Sequence, residues 1–232
     1  MSEAFDKVIG IKHLPLFPLP LVLLPNEFLP LHIFEDRYKQ LLKDSLEDRK
    51  LFGITYFEPQ NELITKPDVG TVGCVAEVRE NQELPDGRSN LLTMGVIRYR
   101  LIDYVETGDP YLVGDVVFFE DEEENEEAMQ PLTDEVYELF ERVAKAAFKL
   151  SGGRGRFPEI PKTAPQQFSF LVTAAFNLDN ELKYQMLEIT STSSRLEKLR
   201  DILNQAVNKM EDSAEIHKIA QTNGHSNKKL DL

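Results

Sequence analysis

Apolar positions alternate with period two through most of the first half of the chain and recur every three to four residues through the second. In KLFGITYF (50–57) β-branched and aromatic residues dominate, as in a strand. GTVGCVAEVRE (70–80) puts Val72, Cys74, Ala76 and Val78 on one face. NLLTMGVIRYRLIDY (90–104) sets Ile97, Tyr99 and Leu101 against Arg98 and Arg100, and YLVGDVVFF (111–119) supplies another strand. Asp86-Gly87, inside LPDGRS, marks a tight turn. Short strands at this spacing predict a small barrel or sandwich rather than a parallel sheet. One helix interrupts them over 36–50, with Tyr38, Leu41, Leu42 and Leu46 at helical spacing. In the second half, Thr133 is placed to cap a helix running to about Leu150, with a stripe of Val136, Phe140, Val143 and Ala147. A loop over 151–165 follows, then an apolar helix opened by Pro165, a short helix from Glu181, and a last helix from near Thr192 carrying Leu196, Leu199, Leu203 and Val207. After about Asp212 the chain turns polar and is expected to fray.

One segment breaks the alternation. LPLFPLPLVLLPNEFLPLHIFEDRY (14–38) is strongly apolar yet carries Pro15, Pro18, Pro20, Pro25 and Pro30. Its uncharged part, 14–25, is too short for a membrane span, which needs about 20 apolar residues. Prolines also disrupt a spanning or signal helix, and no small-residue cleavage site follows. The expected location is the cytoplasm, without membrane insertion. Lys12, Pro15 and Pro18 form a [KR]-x-x-P-x-x-P pattern, but Leu14, Leu16, Phe17 and Leu19 around them call for burial, unlike an exposed polyproline ligand.

Charge divides the chain in three. Residues 1–119 hold 19 acidic and 12 basic residues, 120–127 (EDEEENEE) hold seven acidic and none basic, and 128–232 hold 14 of each. The acidic run reads as a solvated connector, with an interaction tether as the sharper alternative. The total of −14 disfavours nucleic acid and anionic membrane as partners. Cys74 is the single cysteine, which excludes an intrachain disulfide and suits a reducing compartment.

Candidate chemistry is sparse. The chain has no Gly-Lys pair, so SGGRGRF (151–157) is not a phosphate-binding loop, and there is no G-x-S-x-G elbow. His13, His32, His217 and His225 are scattered; His13 and His32 could neighbour each other on adjacent strands, a weak pointer to metal. Cys74 falls on an apolar strand face, where a buried structural thiol outweighs a nucleophile. The expectation is no enzyme, no cofactor and no metal.

The order of LPLFPLPLVLLPNEFLPLHIFEDRY, GTVGCVAEVRE, LPDGR, GVIRYRL and PYLVGDV, followed by QMLE (185–188) and SRLEKL (194–199), resembles the N-terminal substrate-binding domain of the Lon family of ATP-dependent proteases over roughly residues 11–210. Asn26 stands where that family often has glycine, and asparagine also tolerates a left-handed backbone. The resemblance implies an α+β fold: a PUA-like β-barrel over 1–119, an acidic linker over 120–130, a C-terminal helical bundle over 131–212 and a flexible tail over 213–232. It makes Leu14–Phe17 and Leu29–Phe34 barrel strands, with Pro18, Pro20 and Pro25 in an irregular crossing between them and Leu31, Ile33 and Phe34 in the core. It implies a free-standing, non-catalytic adaptor that binds polypeptide clients, unfolded ones among them, and delivers them to a protease or chaperone. The alternative is nucleic-acid binding, because PUA-like barrels elsewhere bind RNA, though clustered Lys and Arg are lacking. Candidate contacts for a polypeptide are Phe57, Arg98, Arg100, Tyr104, Phe118 and Phe119. The sequence carries no signal for an oligomeric state.

Overall fold

A computed structural model describes residues 2–59, 65–152, 154–176 and 178–223. In chain order these form α1 (Glu3–Val8), β1 (His13–Leu19), β2 (Phe28–Ile33), α2 (Asp36–Glu47), β3 (Leu51–Tyr56), β4 (Val72–Glu83), β5 (Ser89–Tyr104), β6 (Leu112–Phe119), α3 (Glu126–Leu150), α4 (Pro165–Ala175), α5 (Asn180–Glu188) and α6 (Thr192–Asn223). The fold is α+β. The strands run in the order β2-β5-β4-β3-β1-β6, and β6 also pairs with β5, so five strands close into a barrel and β2 hangs on one edge. Among the described residues only β1 and β3 pair in parallel. Closure depends on the 16-residue β5, which pairs β2 through residues 89–94 and β6 through 98–104. Between those stretches, Val96 and Ile97 have no counterpart on β4, a bulge that bends the strand.

Tyr99 plugs the barrel. It is fully buried, and its hydroxyl shares a 2.6 Å hydrogen bond with the Thr55 hydroxyl. Gly53 and Gly73 make room for the ring: a Cβ would lie 2.6 Å from the Tyr99 hydroxyl at Gly53 and 2.4 Å from it at Gly73. Leu14, Leu16, Val75, Leu101 and Val116 complete this inner cluster. The alternate phase of β1, β3 and β4 (Phe17, Phe52, Ile54, Val72, Cys74, Ala76, Val78) builds a second cluster on the outside of the barrel. There it is covered by α2, by Val22–Leu24 of the crossing, and by Phe170 and Leu187. These central strands are therefore apolar on both faces. Pro15 and Pro18 of the polyproline pattern lie within β1, where Leu14, Leu16 and Phe17 are at most 6% exposed. Burial pushes the Cys74 thiol up to about 12.

Three local expectations change. Phe34, expected in the core, is 59% exposed: it falls just past β2 and in the outward phase of that strand. His13 and His32 are not neighbours, because β1 and β2 do not pair. The acidic run is not wholly solvated. Asp121 has a side chain only 3% exposed and pairs with Arg98, itself 1% exposed. Glu120 accepts from the Ser2 hydroxyl, and Glu122 donates its backbone N–H to Thr190 O and accepts from the Thr190 hydroxyl, both at 2.9 Å.

The rest of the run starts α3. Asn125 caps it by accepting from the Ala128 N–H, and Glu126 and Glu127 lie at the positive end of the helix dipole. The expected cap, Thr133, is instead buried within α3 and donates to Met129 O at 3.0 Å. α6 continues past Asp212 to Asn223, and the expected tail beyond that lies outside the described residues.

The chain folds as two compact units, Met1–Glu124 with Gln166–Thr192 and Asn125–Pro165 with Ser193–Leu232. The first unit holds the barrel with α4 and α5, and the second holds α3 and α6. α4 and α5 belong with the barrel because Phe170, Tyr184 and Leu187 pack on its outer cluster. In the second unit, α3 buries Val136, Leu139, Phe140 and Val143, and α6 buries Leu196, Leu199, Leu203 and Val207.

Arg98→Met removes the guanidinium beside the buried Asp121 carboxylate and should lower the unfolding free energy by about 3–5 kcal/mol in urea titration. A loss below about 1 kcal/mol would mean that the pair is not structural. Cys74 should resist a thiol-specific chromogenic reagent at pH 8 in the native protein and react fully in denaturant; rapid native labelling would contradict its burial.

Candidate functional site

β2 is an edge strand with one hydrogen-bonded neighbour, and its two faces differ. Ile33 is buried and Leu29 and Leu31 are half-buried on the inner side, whereas Phe28, Pro30 and His32 are exposed. The register carries this face across the sheet, because paired residues of antiparallel strands point the same way. Phe28 lies beside Met94, Pro30 beside Leu92 and His32 beside Asn90. On the far side of β5, Glu77 flanks Met94, Glu80 flanks Leu92 and Gln82 flanks Asn90. The result is an apolar strip of Phe28, Pro30, Leu92 and Met94 with a polar border. Phe28 is 58% exposed, and Phe34 extends the strip by stacking on His32 with ring centroids 6.1 Å apart.

At Met94 the strip opens into a hollow of about 270 Å³ whose lining includes Pro25, Asn26, Phe119, Gln167 and Phe170. Local backbone geometry forms it. Asn26 adopts φ 64°, as its side chain permits, and donates its N–H to Gly95 O at 2.8 Å. The Gly95 N–H in turn donates to Glu27 O at 2.9 Å, and a Cβ on Gly95 would lie 2.1 Å from Leu24 O. Only glycine lets the turn dock on the bulged strand. Lys7, on the wall contributed by α1, pairs with Glu77 at 2.7 Å, and Arg79 pairs with the same oxygen at 3.0 Å. Burial alone would raise the Glu77 carboxyl, but hydrogen bonds from Lys7 and Arg79 outweigh it and hold the group below its usual value.

The contacts named from sequence are dispersed. Phe119 lines the hollow, with the Arg98 guanidinium 4.6 Å and the Arg100 guanidinium 5.7 Å from its ring centroid. Arg98 itself is buried and engaged: it donates to Leu187 O at 3.0 Å and Ile189 O at 2.7 Å and pairs with Asp121, so it is not presented to a client. Arg100 is exposed and donates to Gly70 O. Phe118 packs half-buried on the inner cluster. Tyr104 lines a separate hollow of about 630 Å³, donates to Pro67 O at 2.6 Å and carries the Lys66 ammonium 3.9 Å from its ring centroid; burial pushes its hydroxyl up to about 12. Phe57 borders a third hollow with Tyr56 and Tyr184. The structure therefore gathers Arg98, Arg100 and Phe119 and leaves Phe57 and Tyr104 elsewhere. Sequence reasoning missed Phe28, Pro30, Leu92 and Met94. The alternation of FLPLHI over 28–33 was the available signal.

Among the described residues no group of three or more His, Cys, Asp or Glu could hold a metal ion, and no helix is long and apolar enough to cross a membrane.

Residues 13–205 match the family model of the ATP-dependent protease La (LON) substrate-binding domain. Lon protease of Desulforamulus reducens is 28% identical over 200 residues, 83% of this chain and 24% of that protein. Lon protease of Parabacteroides distasonis is 27% identical over 227 residues, 93% of this chain and 26% of that protein. The chain spans about a quarter of the length of the curated relatives it matches. Among solved structures, a Lon N-terminal domain protein from Xanthomonas campestris gives a TM-score of 0.60 at 22% identity, covering 82% of this chain and 97% of that one. The N-terminal domain of Mycobacterium avium complex Lon protease gives 0.61 at 17% identity, covering 83% and 98%. These two likenesses establish the fold, and the family model, which takes in the barrel and the helices that follow it, establishes the kinship: the chain belongs to the LON substrate-binding domain family.

Proposed function

We propose that this chain recognises polypeptide segments, extended or unfolded ones among them, and acts as an adaptor without chemistry of its own. The observation that carries this reading is the apolar strip of Phe28, Pro30, Leu92 and Met94, bordered by polar residues and opening into a hollow beside β5. A bordered apolar patch is what a surface needs to hold side chains that a native protein keeps inside. The family description adds support, since it names substrate binding as this domain's part in an ATP-dependent protease. The sequence has neither a phosphate-binding loop nor a hydrolase elbow, which agrees with recognition without turnover. A protease or a chaperone is then the natural recipient of the bound segment. Of the contacts expected from sequence, Phe119 belongs to this site, and Phe57 and Tyr104 are candidates for separate contacts along a longer segment.

Full burial of one large apolar side chain contributes about 1.5–3 kcal/mol, and part is offset by the cost of ordering the segment. A few such side chains give affinities near the micromolar range. In fluorescence anisotropy, a labelled unfolded reporter should bind and its native form should not. Phe28→Ser combined with Met94→Ser should weaken binding about tenfold, about 1.4 kcal/mol, and leave the melting temperature within a few degrees. No preference for the unfolded reporter would overturn the reading.

A further inference from the structure

We infer that the strip and its hollow select polypeptide segments in which Lys or Arg flanks large apolar side chains. The inference rests on the reading above and specifies the client that the site takes. Its basis is the charge left over around an otherwise apolar surface. Of the nearby bases, Lys7 and Arg79 pair with Glu77 and the buried Arg98 with Asp121, while Arg100, 5.7 Å from the Phe119 ring, donates to Gly70 O. Three further carboxylates have no ion-pair partner among the described residues. Glu80 is exposed beside Leu92, and Glu3 and Glu120 line the hollow, where Glu120 holds only the Ser2 hydroxyl. Lys7, Arg79, Arg98 and Arg100 thus face Glu77, Asp121, Glu3, Glu80 and Glu120, a local excess of one negative charge.

The geometry turns that excess into selectivity. Glu80 lies across β5 from Pro30, level with the middle of the strip, and Glu3 and Glu120 lie at the end where the strip opens into the hollow. A segment that seats an apolar side chain on Phe28 and Met94 therefore carries its neighbours past carboxylates on two sides. A cation there gains an unpaired partner. An anion there meets like charge next to a low-dielectric wall, where salt screens less than in open water. The chain's overall charge of −14 acts in the same direction at longer range and speeds the encounter.

The test uses three labelled peptides with one apolar core, flanked by Lys and Arg, by Ser, or by Glu, measured by anisotropy against the full chain at 50 and 300 mM salt. The basic peptide should bind about tenfold more tightly than the acidic one, with the serine peptide between them, and the gap should narrow at high salt. Glu80→Gln, on an exposed strand position, should reduce the gap without changing affinity for the serine peptide. Glu3→Gln with Glu120→Gln should reduce it further, since glutamine can still accept from Ser2. Equal binding of the basic and acidic peptides overturns this inference and leaves polypeptide recognition standing; failure of all three removes both. A gap that persists in every glutamine variant places the selecting charge elsewhere and also overturns it. If the strip is the seat of a second copy of this chain, sedimentation will show a dimer that Phe28→Ser dissociates and that peptide does not compete for, and the inference falls.

Discussion

The buried guanidinium of Arg98 holds the outer layer of the barrel unit together. It lies on the outward phase of β5, where alternation would send a charged side chain to water. Instead it is buried against groups that it binds: the carboxylate of Asp121, the carbonyls of Leu187 and Ile189 at the end of α5, and the rings of Phe119 and Phe170. A charge can leave water only if its donors are satisfied, so this set forms together or not at all. Its consequences reach the site. Fixing Asp121 sets the path of the chain out of β6, and Thr192 adds a 2.5 Å hydrogen bond to the other carboxylate oxygen. Fixing Phe119 and Phe170 sets one wall of the hollow. Residues from β5, β6, α4 and α5 thus reach the surface in one arrangement because one cation inside requires it.

How much of this was legible follows from how local each signal is. The period-two patterns of 70–80 and 90–104 place β4 and β5 well, because a strand buried on one or both faces writes its burial into its own residues. Asn26 was readable too, since a left-handed turn leaves few residue types to choose from. Arg98 was not, because the layer that covers it comes from α5 and the acidic segment, and nothing on β5 announces them. The acidic run misled for the same reason: seven carboxylates look uniformly solvated, yet one of them is a buried counter-ion and the last two serve the N-terminus of α3. Phe28 and Met94 become a site only once the register pairs β2 with β5, and that pairing is set by tertiary structure rather than by either segment.

An exposed apolar strip on an edge strand is ordinarily a hazard, since open backbone groups recruit further strands. Pro30 answers that hazard at the centre of β2. It has no N–H, so whichever way its nitrogen faces, the strand carries one donor fewer, and proline in sheets is confined to such edges. Phe28 and Phe34 can then stay exposed at either side of it with a weakened template for edge-to-edge pairing. The same residue bears on how a polypeptide would bind. A segment added along the β2 edge can take no N–H from Pro30, whereas a segment lying across the face meets Phe28, Leu92 and Met94 through side chains alone. Side-chain contact tolerates many sequences, and strand addition demands an extended backbone in register. The proline thus keeps the strip apolar and weakens edge-to-edge pairing, and under the proposed reading it favours contact through the face.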